Sequence, residues 1–324
     1  MKKILSILMV LVLVFSFVGC AKEENNAPVE KTKVNVFGIA GPTGIGMADL
    51  MNKAKNNQTE LDYNFNIVGS NEEIVAKISN GEADIAAVAT NLASVLNSKT
   101  SGKVQVLAIN TLGVLSVVSK GENISKISDL KGKTVYTTGQ GANPEYIITN
   151  ILEKNNLKVG TDVKLEFVTE PTELVTKVVT NQKAIVIAPQ PVATTITVKD
   201  ANAKIVIDIN DEWDKITDTK LVMGCVIARK EFVKKNPKAV ETFLKEYKAS
   251  INATNNDPEN VAKLCEEYKL APATAIAKKA IPHCHIVFQS GKEMKTNLKA
   301  YLEFLHSKNP ASVGGKLPDE SFYY

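Results

Sequence analysis

Arginine, tryptophan and aromatic residues in general are scarce in this 324-residue chain, and their scarcity excludes several classes of function. Arg229 is the only arginine among 39 basic residues, Trp213 is the only tryptophan, and aromatic residues make up 6% of the chain. A carbohydrate-stacking surface needs more aromatic side chains than this. The formal charge of +4 is small, and no basic stretch is interleaved with aromatic residues. The sequence therefore predicts no nucleic-acid partner.

Motifs of catalysis are absent as well. The chain contains no H-E-x-x-H, no G-x-S-x-G, no C-x-x-C and no phosphate loop with its lysine. Apart from Cys20 the cysteines are Cys225, Cys265 and Cys284, an odd number that cannot all pair, and we interpret them as buried apolar residues. These absences favour binding over turnover, so we expect no catalytic residue and no cofactor.

Residues 283–285, His-Cys-His, are the one stretch that suggests a metal. Alternation along a strand would put His283 and His285 on the same side, but two imidazoles alone do not make a zinc site. The sequence has no cysteine-rich or histidine-rich cluster that would add further ligands. We therefore expect both histidines to be structural and no metal to be bound.

Residues 1–19 have the pattern of a bacterial lipoprotein signal. Two lysines precede an apolar run from residue 4 to residue 18, and Gly19 comes directly before Cys20. The run is shorter than the ~20 residues of a membrane-spanning helix. We expect lipidation of Cys20, a flexible tether at residues 20–33, and an extracytoplasmic protein that its acyl chains anchor to the cell membrane. A plain secretory signal with an incidental cysteine is the alternative.

The stretch 34–51 shows the pattern on which the rest of the chain is built. A strand runs into the glycine-rich turn 41–44, and Met47, Leu50 and Met51 then have the spacing of one helix face. Such a turn presents free backbone N–H groups at the start of the helix, which can hold a small polar or anionic group. An ordinary strand-to-helix turn without a ligand is the alternative.

The same pattern recurs 100 residues later, at residues 134–145. Residues 73–94 also align with residues 173–194 without a gap, and the identical pairs are Glu73/Glu173, Val75/Val175, Lys77/Lys177, Ile85/Ile185 and Ala93/Ala193. Chance or shared composition can produce a handful of identities. The repeat favours two lobes of similar build, each with the same set of loops at its strand ends.

Strands that alternate with helices predict βαβ units and parallel pairing in both lobes. We assign residues 34–119 plus 221–324 to the first lobe and residues 120–220 to the second. A two-strand hinge is expected near Ser119 and Leu221. After a returning strand at residues 221–228, the chain is expected to be entirely helical.

The lipoprotein signal, Gly-Glu-Ala-Asp-Ile at residues 81–85, Asp-Leu-Lys-Gly-Lys-Thr-Val at residues 129–135 and the glycine loop before Pro144 occur in a characteristic order. In this order and spacing the chain resembles solute-binding lipoproteins of bacterial ABC importers. The nearest branch includes nitrate, taurine, alkanesulfonate and thiamine-pyrimidine-precursor binders. The resemblance implies an α/β, two-lobed type II periplasmic-binding-protein fold, each lobe a mostly parallel sheet flanked by helices. It also implies a monomer that closes on a small-molecule solute and docks to an ABC permease with its ATPase.

Ligands of open α/β sheets lie beyond the carboxyl ends of the strands. We therefore expect the solute to be bound by groups of the strand-end loops, namely Thr43, Gly44, Ser70, Asn91, Thr111, Gly141, Asn143 and Gln190. For the threonine and amide side chains a capping role at a helix start is the alternative. Glu170 is the only carboxylate of these loops, and whether it or Cys225 contacts the solute stays open.

Arg229 follows the returning strand and belongs to none of these loops, so the two-point grip of arginine on a carboxylate is not expected. The sequence therefore favours a neutral, weakly polar or singly anionic organic solute. Three functions stay open. They are the receptor of an importer, a sensor lipoprotein that presents its ligand to a signalling partner, and an enzyme like the pyrimidine synthases that share this fold.

Replacement of Cys20 by alanine is expected to release the protein from the membrane, because the acyl chains attach to that cysteine. Fractionation of cells that make the Cys20→Ala form or the wild-type protein measures the release. A Cys20→Ala protein that stays with the membrane as fully as the wild type would show that something else anchors the chain.

Overall fold

Two β-sheets organise the part of the chain that the computed structural model describes, which is residues 31–324. The predicted signal peptide, the lipidated Cys20 and the tether as far as residue 30 lie outside the described residues. The unit that contains both sheets runs from Thr32 to Tyr324. Within the described part of the chain, no helix is long and apolar enough to cross a membrane.

The strands and helices alternate through most of this unit. In chain order the strands are β1 (Lys33–Ile39), β2 (Asp62–Val68), β3 (Ile85–Ala89), β4 (Val104–Thr111), β5 (Leu115–Lys120), β6 (Thr134–Thr137), β7 (Lys164–Phe167), β8 (Ala184–Pro189), β9 (Ala203–Asp208), β10 (Gly224–Arg229) and β11 (Ile286–Gln289). The α-helices are α1 (Pro42–Ile45), α2 (Ala48–Lys55), α3 (Asn71–Ser79), α4 (Thr90–Lys99), α5 (Asn143–Lys154), α6 (Pro171–Thr180), α7 (Val192–Lys199), α8 (Ile209–Ile216), α9 (Lys230–Lys235), α10 (Pro237–Asn256), α11 (Pro258–Glu267), α12 (Thr274–Ala280) and α13 (Gly291–Lys308). Short 3₁₀ helices occur at Ile127–Leu130, Ile281–His283, Pro310–Val313 and Glu320–Phe322.

Proline marks the start of several of these helices. Its fixed φ suits the first helical turn, and an N–H in that turn has no partner within the helix, so proline loses no hydrogen bond there. The helices that carry it in the first two positions are α1, α5, α6, α10 and α11.

The larger sheet has six strands in the order β11-β4-β10-β3-β1-β2, and the smaller has five in the order β7-β6-β8-β5-β9. β1 is parallel to β2 and β3, and β6 is parallel to β7 and β8. β10 and β5 are antiparallel to both of their neighbours, so β4 and β9 share the direction of the parallel strands. The predicted α/β class with two mostly parallel sheets is confirmed. We call the parts built on the two sheets the large lobe and the small lobe.

The chain crosses between the sheets twice. The first crossing is the segment 112–114 between β4 and β5, and the second is the segment 217–223 between α8 and β10, which contains Leu221. The predicted crossing near Ser119 is wrong, because β5 is buried between β8 and β9 in the small sheet. A strand that directly follows another strand carries no local sign of which sheet it joins.

The expectation of an entirely helical chain after residue 228 is also wrong. β11 is a short strand at the edge of the large sheet, where it is antiparallel to β4. Its four residues are too few to show the alternation from which a strand is predicted.

The predicted internal repeat is present in the strand order. β2, β1 and β3 lie side by side in the large lobe, and β7, β6 and β8 lie side by side in the small lobe. α3 follows β2 as α6 follows β7, and α4 follows β3 as α7 follows β8. Each lobe therefore places equivalent loops at the carboxyl ends of its parallel strands.

Aromatic and helical contacts also join the two lobes. The ring of Trp213 on α8 lies 4.8 Å from the ring of Phe304 on α13, at an interplanar angle of 78°. The indole N–H of Trp213 donates a hydrogen bond of 2.8 Å to the carbonyl of Thr219. On another side, α12 of the large lobe contacts α7 of the small lobe. The strand-end loops lie between two lobes that are linked at more than one place.

Candidate ligand-binding cleft

A cavity of about 590 Å³ lies between the two lobes. The large lobe lines it with residues of the segments 40–42 and 266–272, and the small lobe lines it with Pro171 and residues 189–192. Segments 40–42 and 189–192 lie at the ends of β1 and β8, so the cavity is at the carboxyl ends of parallel strands, where ligands of α/β sheets bind. The charged residues in its lining are Glu266 and Lys269, one of each sign.

The glycine-rich turn after β1 is held by its own backbone contacts. Gly41 has a φ of 99°, a conformation that glycine adopts readily, and its N–H donates to the carbonyl of Leu270 over 2.8 Å. The N–H of Gly44 donates to the carbonyl of Gly41 over 2.9 Å. A Cβ on Gly44 would lie 2.2 Å from the carbonyl oxygen of Ile39. Gly44 thus serves close packing, and both N–H groups are used within the protein.

Asn110, near the end of β4, ties this turn to the protein interior. Its Nδ2 donates to the carbonyl of Thr43 and to the hydroxyl of Tyr247, each over 3.0 Å. Its Oδ1 accepts from the hydroxyl of Thr111 over 3.1 Å. Burial raises the pKa of Tyr247, so its hydroxyl stays protonated. The Thr111 hydroxyl, a predicted solute contact, is therefore engaged inside the protein.

Gly224, the first residue of β10, lies against the same group of side chains. A Cβ at this position would lie 2.7 Å from Oδ1 of Asn110 and 3.0 Å from the hydroxyl oxygen of Thr43. Its neighbour Cys225 is fully buried, and burial raises the pKa of the thiol to about 12. Neither Gly224 nor Tyr247 could be predicted to lie here, because both come from segments more than 100 residues away from Asn110 along the chain.

Two of the predicted site residues make hydrogen bonds at the starts of helices. The hydroxyl oxygen of Ser70 accepts from the N–H of Glu73 over 3.2 Å, so it begins α3 as a Ser-x-x-Glu pattern predicts. Gln190 lines the cavity but is 3% exposed. Its Oε1 accepts from the Thr194 hydroxyl over 2.8 Å, and its Nε2 donates to the Ser116 hydroxyl over 3.4 Å. Their polar groups are already bonded within the protein.

Glutamates in the first turns of three helices fold back onto the loops that precede them. In each case a carboxylate oxygen accepts a hydrogen bond from a loop N–H, and the pairs are Gly69 with Glu73 at 3.4 Å, Gly141 with Glu145 at 2.5 Å and Glu170 with Glu173 at 2.8 Å. N–H groups at a helix start favour an anion, and here the protein supplies its own carboxylate. An anionic solute at these loops would have to displace a glutamate.

Asn143 and Asn91 lie in the first turns of α5 and α4. Oδ1 of Asn143 is buried and has no hydrogen-bond partner among residues 31–324, and an unpaired buried acceptor costs about 1–3 kcal/mol. The Tyr146 hydroxyl donates to the carbonyl of Gly141 over 2.6 Å and holds the loop in front of Asn143. Neither asparagine lines the 590 Å³ cavity, which adjoins Thr43 through Pro42.

His285 lies beside the first crossing between the sheets. Its Nδ1 is 2.6 Å from the carbonyl oxygen of Gly113, and its Nε2 is 3.5 Å from Oδ2 of Asp208. Burial raises the pKa of the Asp208 carboxyl, and the His285 side chain opposes this effect. His285 thus contacts the crossing and the small lobe. The sequence could not predict the pairing, because Asp208 lies in a distant segment.

Arg229 lies at the end of the large sheet that is opposite the cavity, where the parallel strands begin. β10 is antiparallel to β3, so Arg229 at the end of β10 is level with the start of β3. Its Nη2 is 2.6 Å from Oδ1 of Asp84, and its Nε donates to the carbonyl of Ala83 over 2.8 Å. Asp84 also accepts from the backbone N–H of Asn35 over 2.9 Å. The one arginine of the chain has a structural role.

Comparison with known proteins relates this geometry to a family. Residues 57–261 match the family model described as NMT1/THI5 like. No curated protein matches the chain significantly. Among solved structures, an ABC transporter from Parabacteroides distasonis is similar with a TM-score of 0.76 and 22% sequence identity, over 90% of this chain and 99% of that chain.

Two further solved structures are periplasmic binding proteins. The aliphatic sulphonate binding protein SsuA from Escherichia coli has a TM-score of 0.70 and 12% identity, over 90% of this chain and 92% of that chain. The nitrate-binding protein NrtA from Synechocystis PCC 6803 has a TM-score of 0.58 and 13% identity, over 86% of this chain and 82% of that chain. At such identities the likeness shows the fold, and the predicted two-lobed periplasmic-binding-protein fold is confirmed.

Replacement of Arg229 by alanine is expected to lower the free energy of unfolding by about 3 kcal/mol, because it leaves the buried Asp84 carboxylate without its charged partner. Urea denaturation of the variant and the wild type measures the loss. Lys235→Ala is the control, since it removes an exposed ion pair with Glu231, worth less than about 1 kcal/mol. Equal, small losses in both variants would show that Arg229 is not a structural residue.

Proposed function

The chain belongs to the NMT1/THI5-like family, and from this membership we propose that it is an extracytoplasmic solute-binding lipoprotein. In this role it delivers a small organic solute to the permease and ATPase of an ABC importer. The observation that carries the proposal is the 590 Å³ cavity between two lobes, at the carboxyl ends of their parallel strands. Its volume is within the range of about 300–1,000 Å³ that small-molecule sites occupy.

Two similar lobes joined by two crossings can close on a solute that both of them contact. Closure is a shift of population, and the solute drives it only as far as it binds the closed form more tightly than the open form. The segments 112–114 and 217–223 are the places where the chain passes between the sheets, so a hinge motion has to be absorbed there. The closed form then presents one surface, made of both lobes, to a membrane permease.

The polar groups of the cleft support a solute that is neutral or carries a single negative charge. The charged residues that line the cavity are one glutamate and one lysine, and Arg229 is bound to Asp84 at the far edge of the sheet. The helix starts that would attract an anion already hold glutamate carboxylates. A dicarboxylate or an ordinary amino acid would therefore meet carboxylates without a matching guanidinium.

Among the predicted site residues, the contacts leave Thr43, next to the cavity, and Asn143, outside its lining, as candidate solute ligands, one from each lobe. Thr43 lies in the glycine turn beside the cavity, and its carbonyl accepts a hydrogen bond from Asn110, which holds the residue in place. Oδ1 of Asn143 can accept a hydrogen bond from an N–H or O–H of a solute, since the described residues give it no other partner. Ser70, Thr111 and Gln190 hold the loops instead.

Native mass spectrometry of the gently purified protein, with a search for a co-purified small molecule, identifies the solute class. A thermal-shift panel then tests it, because a solute at about 100 times its dissociation constant adds ~2.7 kcal/mol to the free energy of unfolding. We expect a neutral or sulfonate-like compound to shift the melting temperature and glutamate, aspartate and succinate to have no effect. Tight binding of these three compounds would contradict the proposed charge, and conversion of the solute into a product would contradict a binding role.

Replacement of Thr43 or Asn143 by alanine is expected to weaken solute binding about five- to tenfold, the effect of one lost hydrogen bond, with little change in the melting temperature of the free protein. Titration calorimetry measures the affinities. Asn155→Ala is a matched control at the other end of α5, where the Asn155 side chain donates to the Ile151 carbonyl. Unchanged affinity in both site variants would show that the solute binds elsewhere.

A further inference from the structure

Three metal-ligating side chains meet beside the first crossing between the lobes. They are Asp208 at the end of β9, Asp211 in the first turn of α8, and His285 just before β11. One ligand atom from each residue lies within 4.8 Å of the other two. The two aspartates come from the small lobe and the histidine from the large lobe, so neither lobe contains the group alone.

The hydrogen bond of His285 fixes which of its ring nitrogens is free. Nδ1 is 2.6 Å from the carbonyl oxygen of Gly113, and a carbonyl oxygen can only accept, so Nδ1 carries the hydrogen. In the neutral ring the lone pair is then on Nε2, which is 3.5 Å from Oδ2 of Asp208. Histidines that bind metals usually donate their other ring N–H to a carbonyl or carboxylate in this way.

The distance between these two atoms is that of neighbouring ligands around one metal ion. Bonds of ~2.1 Å at a tetrahedral angle separate two ligand atoms by about 3.4 Å. A protonated Nε2 would form only a long ion pair with Oδ2 at 3.5 Å, whereas an unprotonated Nε2 turns its lone pair toward that oxygen. A lone pair and a carboxylate oxygen that face each other at this distance repel, and a cation between them would satisfy both.

The carboxylates are placed to complete such a site. Oδ1 of Asp208 accepts from the N–H of Asn210 over 2.8 Å, which holds that side chain at the helix start and leaves Oδ2 toward His285. Asp211 is exposed in the same turn, so its carboxylate can adjust to an ion. One nitrogen and two oxygen ligands leave a coordination position for water.

We propose that His285, Asp208 and Asp211 bind a divalent transition-metal ion such as Zn²⁺. An imidazole ligand favours zinc, copper or nickel over Ca²⁺ and Mg²⁺, which prefer oxygen ligands alone. Because the ligands come from both lobes, the bound ion links α8 of the small lobe to the segment that precedes β11 in the large lobe. The site does not depend on the solute that the cleft takes.

Titration calorimetry of the full chain, freed of metal with a chelator, tests the site with ZnCl₂. We expect one Zn²⁺ per chain, a higher melting temperature with Zn²⁺, and no competition from Ca²⁺ or Mg²⁺. Co²⁺ in place of Zn²⁺ is expected to give the visible absorption of a low-symmetry nitrogen and oxygen site. Failure to bind Zn²⁺, or binding of Ca²⁺ as tight as that of Zn²⁺, would overturn the proposal.

Two variants remove a ligand and keep the local structure. His285 has a φ of 44°, which asparagine tolerates, and the asparagine amide can still donate to Gly113, so His285→Asn removes only Nε2. Asp208→Asn keeps an oxygen to cap α8. We expect each variant to weaken Zn²⁺ binding at least tenfold, whereas His283→Asn, the control in the same segment, binds as the wild type does. Wild-type affinity in His285→Asn and Asp208→Asn would place any bound zinc elsewhere and contradict the site.

Discussion

Parallel pairing of strands is the constraint on which the rest of this structure depends. A strand that pairs in parallel with the previous one has to be reached by a crossover, and the crossover is usually a helix. All strand-to-helix turns of such a unit therefore lie at the same edge of the sheet. β1, β2 and β3 in the large lobe and β6, β7 and β8 in the small lobe obey this rule. The cavity, the glycine turn and the helix starts are all located at that edge as a consequence.

The same constraint explains what the sequence could predict. Each strand-to-helix unit is local, so the glycine turn at 41–44, the Ser70 cap and the 100-residue repeat were all readable from the order of residues, and the structure confirms the fold they implied. Pairing between distant segments is not local. The sequence therefore could not predict which sheet β5 joins, or that β11 exists.

Within the candidate site the same division holds. Which loops lie at the strand ends could be predicted, but which polar groups remain free in them could not. The Thr111 hydroxyl and the amide of Gln190 are engaged by Asn110 and Thr194. The Gly141 N–H meets the carboxylate of Glu145. His285 meets Asp208 only through folding. A sequence shows which side chains are polar, and tertiary contacts decide which of them are available to a solute.

Charge links the cleft to its proposed function. The one arginine of the chain lies at the end of the large sheet opposite the cleft, where it holds Asp84, and glutamates occupy the starts of three helices that follow parallel strands. Such a cleft selects by hydrogen bonds and shape more than by neutralisation of charge. Affinity for a small solute then depends on how completely the two lobes enclose it, since burial strengthens each hydrogen bond.

The proposed role in transport depends on closure of the two lobes on a solute. Small-angle X-ray scattering of the protein with and without a saturating solute measures it directly, because closure brings the lobes together around the crossings at residues 112–114 and 217–223. We expect a smaller radius of gyration when the solute is bound. Calorimetry first establishes that the solute binds. If the radius of gyration is then the same with and without this solute, the lobes do not close on it.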